Sequence, residues 1–142
     1  MNAYLLSFNE FFKPIIDYYG FEVKSDEEGI SLLRSGFKIE FIMWREAVEV
    51  NFCLIKSGDE MLKYNVRDFI VTYMTNEDRI IDDSVIPTGE KGVYIRNVKS
   101  LFYFSNALKN HFSSMLEGKM DWLDAYKKSD WYSHPQIEKI KN

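Results

Sequence analysis

Apolar and polar residues alternate along residues 21–55, and this pattern predicts four short β-strands. Polar turn residues separate the strands at 26–28, 35–36 and 45–46. The segment therefore predicts an antiparallel β-meander that is apolar on one face and polar on the other. The apolar positions are Phe21, Val23, Ile30, Leu32, Phe37, Ile39, Phe41, Met43, Val48, Val50, Phe52 and Leu54.

The turns also predict the register of the meander. A slip of one residue would move every side chain to the other face, so agreement between two hairpins carries weight. Both hairpins place the same apolar set on one face. The predicted cross-strand pairs are Leu32–Ile39, Ile30–Phe41, Phe41–Val50, Met43–Val48, Ile39–Phe52 and Phe37–Leu54.

Four other segments have apolar residues at helical spacing, and they predict helices over 3–19, 66–75, 98–117 and 121–130. Pro14 either kinks or breaks the first of these. We expect Asn97 to cap the third, and residues 93–95 either to form a short strand or to cross the core. The polar stretch 76–91 predicts a long loop, and the final seven residues are expected to fray.

A chain of 142 residues can bury one hydrophobic core, and no repeat or linker divides it. We therefore expect one α+β domain over residues 1–142. Its four-stranded antiparallel β-meander, at about 21–55, would carry three to four helices packed mainly on one face.

The composition limits which classes of partner and which cellular compartment we expect for the protein. The net charge of −4 and the sequence pI of about 5.2 argue against non-specific binding to nucleic acid. The first twelve residues contain no basic residue, unlike a secretory signal, and no apolar run is long enough to cross a membrane. Cys53 is the single cysteine, so no disulfide can form within the chain. These features favour the reducing cytoplasm.

The sequence contains no motif that carries chemistry by itself. His111 and His134 lack metal-ligand spacing, and we expect His111 to face solvent. The cluster of Asp78, Asp82 and Asp83 lacks the alternating ligands of a calcium loop, so we interpret it as solvated. No histidine lies near Cys53 in the sequence. We expect no metal, no cofactor and no catalytic site.

One weak enzymatic pattern forms an alternative. Asp17, Glu22 and Lys24 follow the D…ExK arrangement of metal-dependent nucleases, in which carboxylates hold a divalent ion and a lysine lies near the attacking water. The spacing from Asp17 is short and the chain has no basic face, so an alternation of charges on a solvated strand explains the pattern better.

The polar face of the meander is the candidate binding surface. Leu33, Ile42 and Trp44 interrupt a run of carboxylates there, and aromatic residues ringed by charge are typical of interfaces. The residues expected to contact a partner are Glu22, Glu27, Glu28, Leu33, Glu40, Ile42, Trp44 and Glu49, together with Asp82 and Asp83 in the long loop.

These observations favour a non-catalytic module that binds a basic or mixed-charge protein. Bacterial immunity proteins, which neutralise a toxin by covering it, share this combination of small size, acidity and missing chemistry; the analogy concerns the class alone. A third alternative is a homodimer that buries Leu33, Ile42 and Trp44 against a second copy.

Overall fold

A single antiparallel β-sheet of six strands forms one layer of the molecule. The computed structural model describes residues 2–56, 58–90 and 92–140. Neighbouring strands in the sheet follow one another in the sequence, so the order is β1 to β6 without a crossover. The strands are β1 (Glu22–Ser25), β2 (Gly29–Arg34), β3 (Phe37–Met43), β4 (Val48–Ile55), β5 (Glu60–Asn65) and β6 (Gln136–Lys139).

The first four strands confirm the predicted meander and its register. Ile30 lies opposite Phe41, and Phe41 lies opposite Val50. All six predicted pairs are present. The prediction of four strands is nevertheless incomplete, because β5 pairs with β4 and β6 pairs with β5.

The sixth strand corrects the expectation that the C-terminus frays. Residues 136–139 pair with β5 in register, with Glu60 opposite Lys139 and Lys63 opposite Gln136. Ile140 adds a backbone hydrogen bond from its N–H to the carbonyl of Asp59. Residues 141 and 142, which were also expected to fray, lie outside the described residues.

Among the described residues, five α-helices form the second layer: α1 (Leu5–Tyr19), α2 (Arg67–Tyr73), α3 (Gly92–His111), α4 (Ser113–Leu116) and α5 (Leu123–Lys128). The first helix continues through Pro14 without a break and ends at Gly20, whose left-handed backbone (φ 73°) a glycine adopts without strain. The predicted helix at 98–117 is divided between α3 and α4, because Phe112 has non-helical backbone angles.

The start of α3 corrects two predictions. Residues 93–95 belong to the helix rather than to a strand, and the ring of Tyr94 stacks on Tyr4 of the N-terminal segment, with 4.8 Å between centroids. Asn97 lies inside α3, is 1% exposed and does not cap the helix. Packing between the first and third helices therefore makes this segment helical, although its local propensity favours a strand.

Asn97 instead supports the turn between β3 and β4. The N–H of Trp44 donates to the carbonyl of Ala47 (3.0 Å), which closes the predicted two-residue turn at 45 and 46. No non-glycine residue of the described ranges has a positive φ, so this turn is not of the primed type that hairpins favour. Asn97 Nδ2 donates to the carbonyl of Trp44 (2.9 Å), and the guanidinium of Arg96 donates to that of Arg45.

The core lies between the helices and one face of the sheet, called here the inner face. Phe8 and Phe12 of α1 stack on each other at 4.2 Å and both lie against Phe41. Leu101 and Leu108 of α3 are fully buried in the same cluster. Each large apolar side chain buried in this way stabilises the fold by about 1.5–3 kcal/mol. The packing on the inner face therefore holds the sheet against the helices.

The long loop at 76–91 docks on α3 through a buried aspartate; its last residue, 91, lies outside the described residues. It contains two short 3-10 turns, Glu77–Arg79 and Asp83–Val85. The Asp78 carboxylate is 1% exposed and accepts hydrogen bonds from Thr75 N (2.9 Å) and Asn110 Nδ2 (2.7 Å).

This docking corrects one interpretation, because Asp78 is not solvated. His111, Asp82 and Asp83 are exposed as expected, and His111 Nε2 lies 2.8 Å from Asp78 Oδ2. No helix within the described residues is long and apolar enough to cross a membrane.

Candidate binding surface

The face of the sheet that points away from the core, called here the outer face, is built from the alternate residue of each strand. Register places these residues side by side: Lys38 of β3, Cys53 of β4, Lys63 of β5 and Gln136 of β6 form one such row. The helices pack in the cluster on the inner face. The outer face is therefore the surface on which the sheet presents side chains away from the core.

A continuous chain of polar contacts crosses this face from Trp44 to Glu138, and we call it the polar ladder. Trp44 Nε1 donates to Glu49 Oε1 (3.0 Å), and Asn51 Nδ2 lies 2.6 Å from Glu49 Oε2. Asn51 Nδ2 also donates to Glu40 Oε1 (3.0 Å). The ladder continues through Lys63, whose Nζ lies 3.2 Å from Glu40 and 3.1 Å from Glu138.

The contacts of the polar ladder determine the charge states of its central pair, Glu40 and Lys63. Burial alone would raise the pKa of Glu40, but the hydrogen bond from Asn51 and the positive charges of Lys63 and Lys38 outweigh it and hold that pKa below its ordinary value. Burial would lower the pKa of Lys63, but Glu138 and Glu40 hold it above its ordinary value. Both groups are therefore charged near neutral pH and neutralise each other.

Cys53 lies beneath this charged pair. It stands between Lys38 and Lys63 in the register and is 0% exposed. Burial raises the pKa of its thiol to about 12, and the charge of Glu40 adds to the effect. A thiol that stays protonated and covered is a poor nucleophile, so Cys53 packs as a small apolar residue.

One end of the outer face collects carboxylates around an exposed tryptophan, and we call it the acidic end. Trp44 is 47% exposed. The turn between β1 and β2 lies next to it, because Met43 N donates to the carbonyl of Glu28 (3.2 Å). Glu27, Glu28 and Glu46 are exposed there, and none of them forms an ion pair within the described part of the chain.

A groove of about 490 Å³ occupies another part of the outer face. Residues of all six strands line it, from Lys24 of β1 to Lys139 of β6. Since β1 and β6 are the two edges of the sheet, the outer face is concave there.

The structure places the residues predicted to bind a partner in several environments. Trp44, Glu27, Glu28 and Glu49 come together at the acidic end. Leu33 and Ile42 are half-buried in β2 and β3, and Leu33 lines the groove. Glu22 is exposed opposite Leu33, and Glu40 is the centre of the polar ladder. Asp82 and Asp83 lie in the loop at 76–91, whose first 3-10 turn packs on α3.

Asn51, Lys63 and Glu138 are the members of the ladder that were not among the predicted binding residues. Asn51 lies on β4, a predicted strand, whereas Lys63 and Glu138 belong to the two strands that the pattern failed to predict. The signal in the sequence is weak: Met61 and Leu62 are adjacent rather than alternating, and the segment 136–139 contains one apolar residue.

The residues of the enzymatic alternative belong to two elements, with Asp17 on α1 and Glu22 and Lys24 on β1. Asp17 Oδ2 pairs with Lys13 Nζ at 3.0 Å on the exposed side of α1. Glu22 and Lys24 lie on β1, with Lys24 opposite Ser31. Across residues 2–56, 58–90 and 92–140, no group of three or more His, Cys, Asp or Glu residues could hold a metal ion.

Comparison with models of protein families finds no matching family, and neither curated proteins nor solved structures show significant similarity to this chain.

Proposed function

We propose that this chain is a non-catalytic protein-binding module that holds a basic or mixed-charge protein at the acidic end of its outer face. The module is of the immunity or antitoxin type, in which covering the partner neutralises it. The observation that carries the proposal is Trp44, which is 47% exposed and held by Glu49 among carboxylates that form no ion pair with any described residue.

Trp44 has the properties of an interface anchor. Its indole N–H is already bonded to Glu49 (3.0 Å), and its backbone carbonyl is bonded to Asn97 of α3 (2.9 Å). An aromatic side chain that is held in place before binding loses less conformational entropy when a partner covers it. Tryptophan is also among the residues that contribute most to binding energy at interfaces.

The charges around Trp44 favour a basic partner surface. Glu27, Glu28 and Glu46 are exposed, so their charges extend into solvent, whereas Lys63 neutralises Glu40 within the sheet. Unpaired surface carboxylates steer a basic partner during diffusion and increase its association rate. Glu27 and Glu28 therefore test the proposal better than Glu40, whose substitution would disturb the ladder.

The experiment captures the partner from native lysate on immobilised protein and then measures its association rate with purified components. Converting Glu27 and Glu28 to lysine should slow association about tenfold at low salt, with a smaller difference at high salt. A control with the same change in charge converts Glu10 of α1 and Asp124 of α5, both exposed, to lysine. Equal rates for the two double variants would contradict the proposal.

Sedimentation at two protein concentrations separates a foreign partner from a second copy of this chain. The proposal predicts a monomer at both concentrations. A dimer that Trp44→Ala dissociates would assign the acidic end to self-association instead.

A further inference from the structure

We propose that a small polar pocket on the outer face binds a vicinal diol, the paired hydroxyl groups on the edge of a sugar ring or another cyclic polyol. The pocket lies between β4, β5 and the segment that leads into β6, and its volume is about 140 Å³. A cavity of about 150 Å³ accommodates one benzene ring, so a single six-membered ring is the right size. The pocket shares no lining residue with the groove of about 490 Å³, and its ligand is independent of the protein partner proposed above.

A buried amide group in the wall of the pocket has an oxygen without a partner. Asn51 is 1% exposed, and its Nδ2 donates to Glu40 (3.0 Å) and to Glu49 (2.6 Å). Its Oδ1 accepts no hydrogen bond from any residue that the structure describes, and this oxygen is not sealed from solvent. Because the two donated bonds hold the amide in one orientation, Oδ1 is a fixed acceptor for a ligand that enters the pocket.

The two strands that line the pocket offer complementary groups. On β4, Asn51 Oδ1 and the Glu49 carboxylate are acceptors, and Glu49 uses only two of its about four acceptor sites for Trp44 and Asn51. On β5, Lys63 keeps one N–H group beyond its two ion pairs, and no described residue accepts from Asn65 Nδ2. Neighbouring strands lie about 4.8 Å apart, so one group between them can donate to β4 and accept from β5.

These paired rows of acceptors and donors select hydroxyl groups. A hydroxyl both donates and accepts, whereas an ammonium only donates and a carboxylate only accepts. The oxygen of a carboxamide cannot donate and its nitrogen does not accept, so a carboxamide cannot bridge the two strands twice. Two adjacent hydroxyl groups can. Glu49 and Lys63 also carry opposite charges, so the pocket as a whole favours a neutral ligand.

Tyr126 holds two walls of the pocket in place. Its hydroxyl donates to the carbonyl of Asn65 (2.8 Å) and accepts from the N–H of Ser133 (3.2 Å). Asn65 Oδ1 also accepts from the N–H of Arg67 (3.3 Å), which orients the amide of Asn65. A ligand therefore meets walls that are ordered before it binds, and little binding energy is lost in arranging them.

NMR titration of the native protein with myo-inositol, a neutral ring that carries a hydroxyl group on every carbon, tests the proposal. The chain has two histidines, and they report on different places. His134 lines the pocket, and His111 ends α3. We expect saturable shifts of the His134 ring signals, with a dissociation constant of about 1–10 mM, and no shift of His111. A shift of His111 with His134 unchanged, or no shift up to about 100 mM, would overturn the proposal.

Asn65→Asp tests the donor on β5. The change replaces the donating Nδ2 by an acceptor and keeps the oxygen that accepts from Arg67. We expect about tenfold weaker binding of myo-inositol, because the bridging hydroxyl would face acceptors on both sides. The matched control, Asn9→Asp on the exposed side of α1, should bind as wild type does. Urea unfolding checks that both variants fold, and unchanged binding by folded Asn65→Asp would contradict the proposal. The His134 shift in wild type tests the pocket without this variant.

Three further ligands test which chemistry the pocket recognises. Cyclohexanol carries a ring with a single hydroxyl group, acetamide carries a carboxamide, and ethylammonium carries a cation. We expect each of them to bind at least about tenfold more weakly than myo-inositol. Equal binding of any one of them would mean that the pocket does not recognise a diol.

A vicinal diol occurs both in free polyols and in glycans. Maltotriose presents the diol on a linked chain of sugar rings, so it stands for a glycan, and myo-inositol stands for a free polyol. The tighter binder of the two identifies the source of the ligand, and both should shift the ring signals of His134. Binding of both ligands without a shift of His134 would place the sugar elsewhere and overturn the assignment.

Discussion

Lys63 of β5 reaches across β4 to Glu40 of β3, with 3.2 Å between Nζ and Oε1. The two residues lie on strands that are not neighbours, so their ion pair spans the intervening strand above Cys53. Each side chain is 16% exposed, which protects the pair from much of the screening that weakens surface ion pairs. The pair therefore ties the meander to the two later strands.

Replacing Glu40 with glutamine should lower the free energy of unfolding by about 1–3 kcal/mol, because Lys63 and Asn51 lose a charged acceptor. Urea denaturation of wild type and variant measures the change. The control is Asp124→Asn, which removes an exposed pair with Lys128 and should cost less than about 1 kcal/mol. Equal losses of unfolding free energy in the two variants would show that the ladder stabilises the fold no more than an ordinary surface ion pair.

Acid should weaken the fold through the same carboxylate. The folded protein holds the pKa of Glu40 below the ordinary value of 4.5, so the folded state binds a proton less readily than the unfolded state. The resulting stabilisation is present above about pH 4.5 and is lost as the pH falls through the lowered pKa. Urea unfolding at pH 7, 5, 4 and 3 should show a steeper loss in wild type than in Glu40→Gln. Parallel pH profiles would contradict this account.

Asp78 should hold the loop at 76–91 onto α3. Burial would raise the pKa of Asp78, but Thr75, Asn110 and His111 outweigh it and hold the pKa below its ordinary value. Asp78→Asn should increase amide hydrogen exchange in that loop and leave the exchange of β2 to β4 unchanged, because the loop does not touch those strands through Asp78.

The matched control for the loop is Asp82→Asn. Asp82 is exposed, and its Oδ1 accepts from Ser84 N (2.9 Å), a role that asparagine keeps. Exchange in the loop should then stay as in wild type. An unchanged pattern in Asp78→Asn as well would mean that other contacts dock the loop.

The thiol of Cys53 should resist alkylation in the folded protein. Its side chain is 0% exposed and its pKa is about 12, so almost no thiolate is available near pH 8. Reaction with iodoacetamide should become fast only in denaturant, and mass spectrometry follows it directly. Rapid modification of the native chain would show that the outer face opens above Cys53.

Local patterning was sufficient to predict the meander because the strands are consecutive and short turns set their register. It failed for β6, whose single apolar residue, Ile137, is 69% exposed and whose partner strand is distant in sequence. It also misplaced the start of α3, where Tyr94 and Asn97 adopt helix through contacts with Tyr4 and Trp44. Contacts of this kind depend on tertiary packing and leave no periodic signal.

The candidate binding surface could also be predicted only in part from the sequence. Alternation correctly assigned Glu40 and Glu49 to the outer face, since register fixes which side each residue faces. The sequence could not show that Lys63 neutralises Glu40 or that the two edge strands share a groove. Both features require β5 and β6 to be in place.

Hydroxyl-radical footprinting of the complex with the captured partner tests most directly whether the acidic end of the outer face is the binding surface. Trp44 and Tyr73 are 47% and 44% exposed, so they report comparably on the outer face and on the helical layer. We expect the partner to protect Trp44 from oxidation and to leave Tyr73 of α2 as reactive as in the free protein. Protection of Tyr73 with Trp44 unchanged would contradict it.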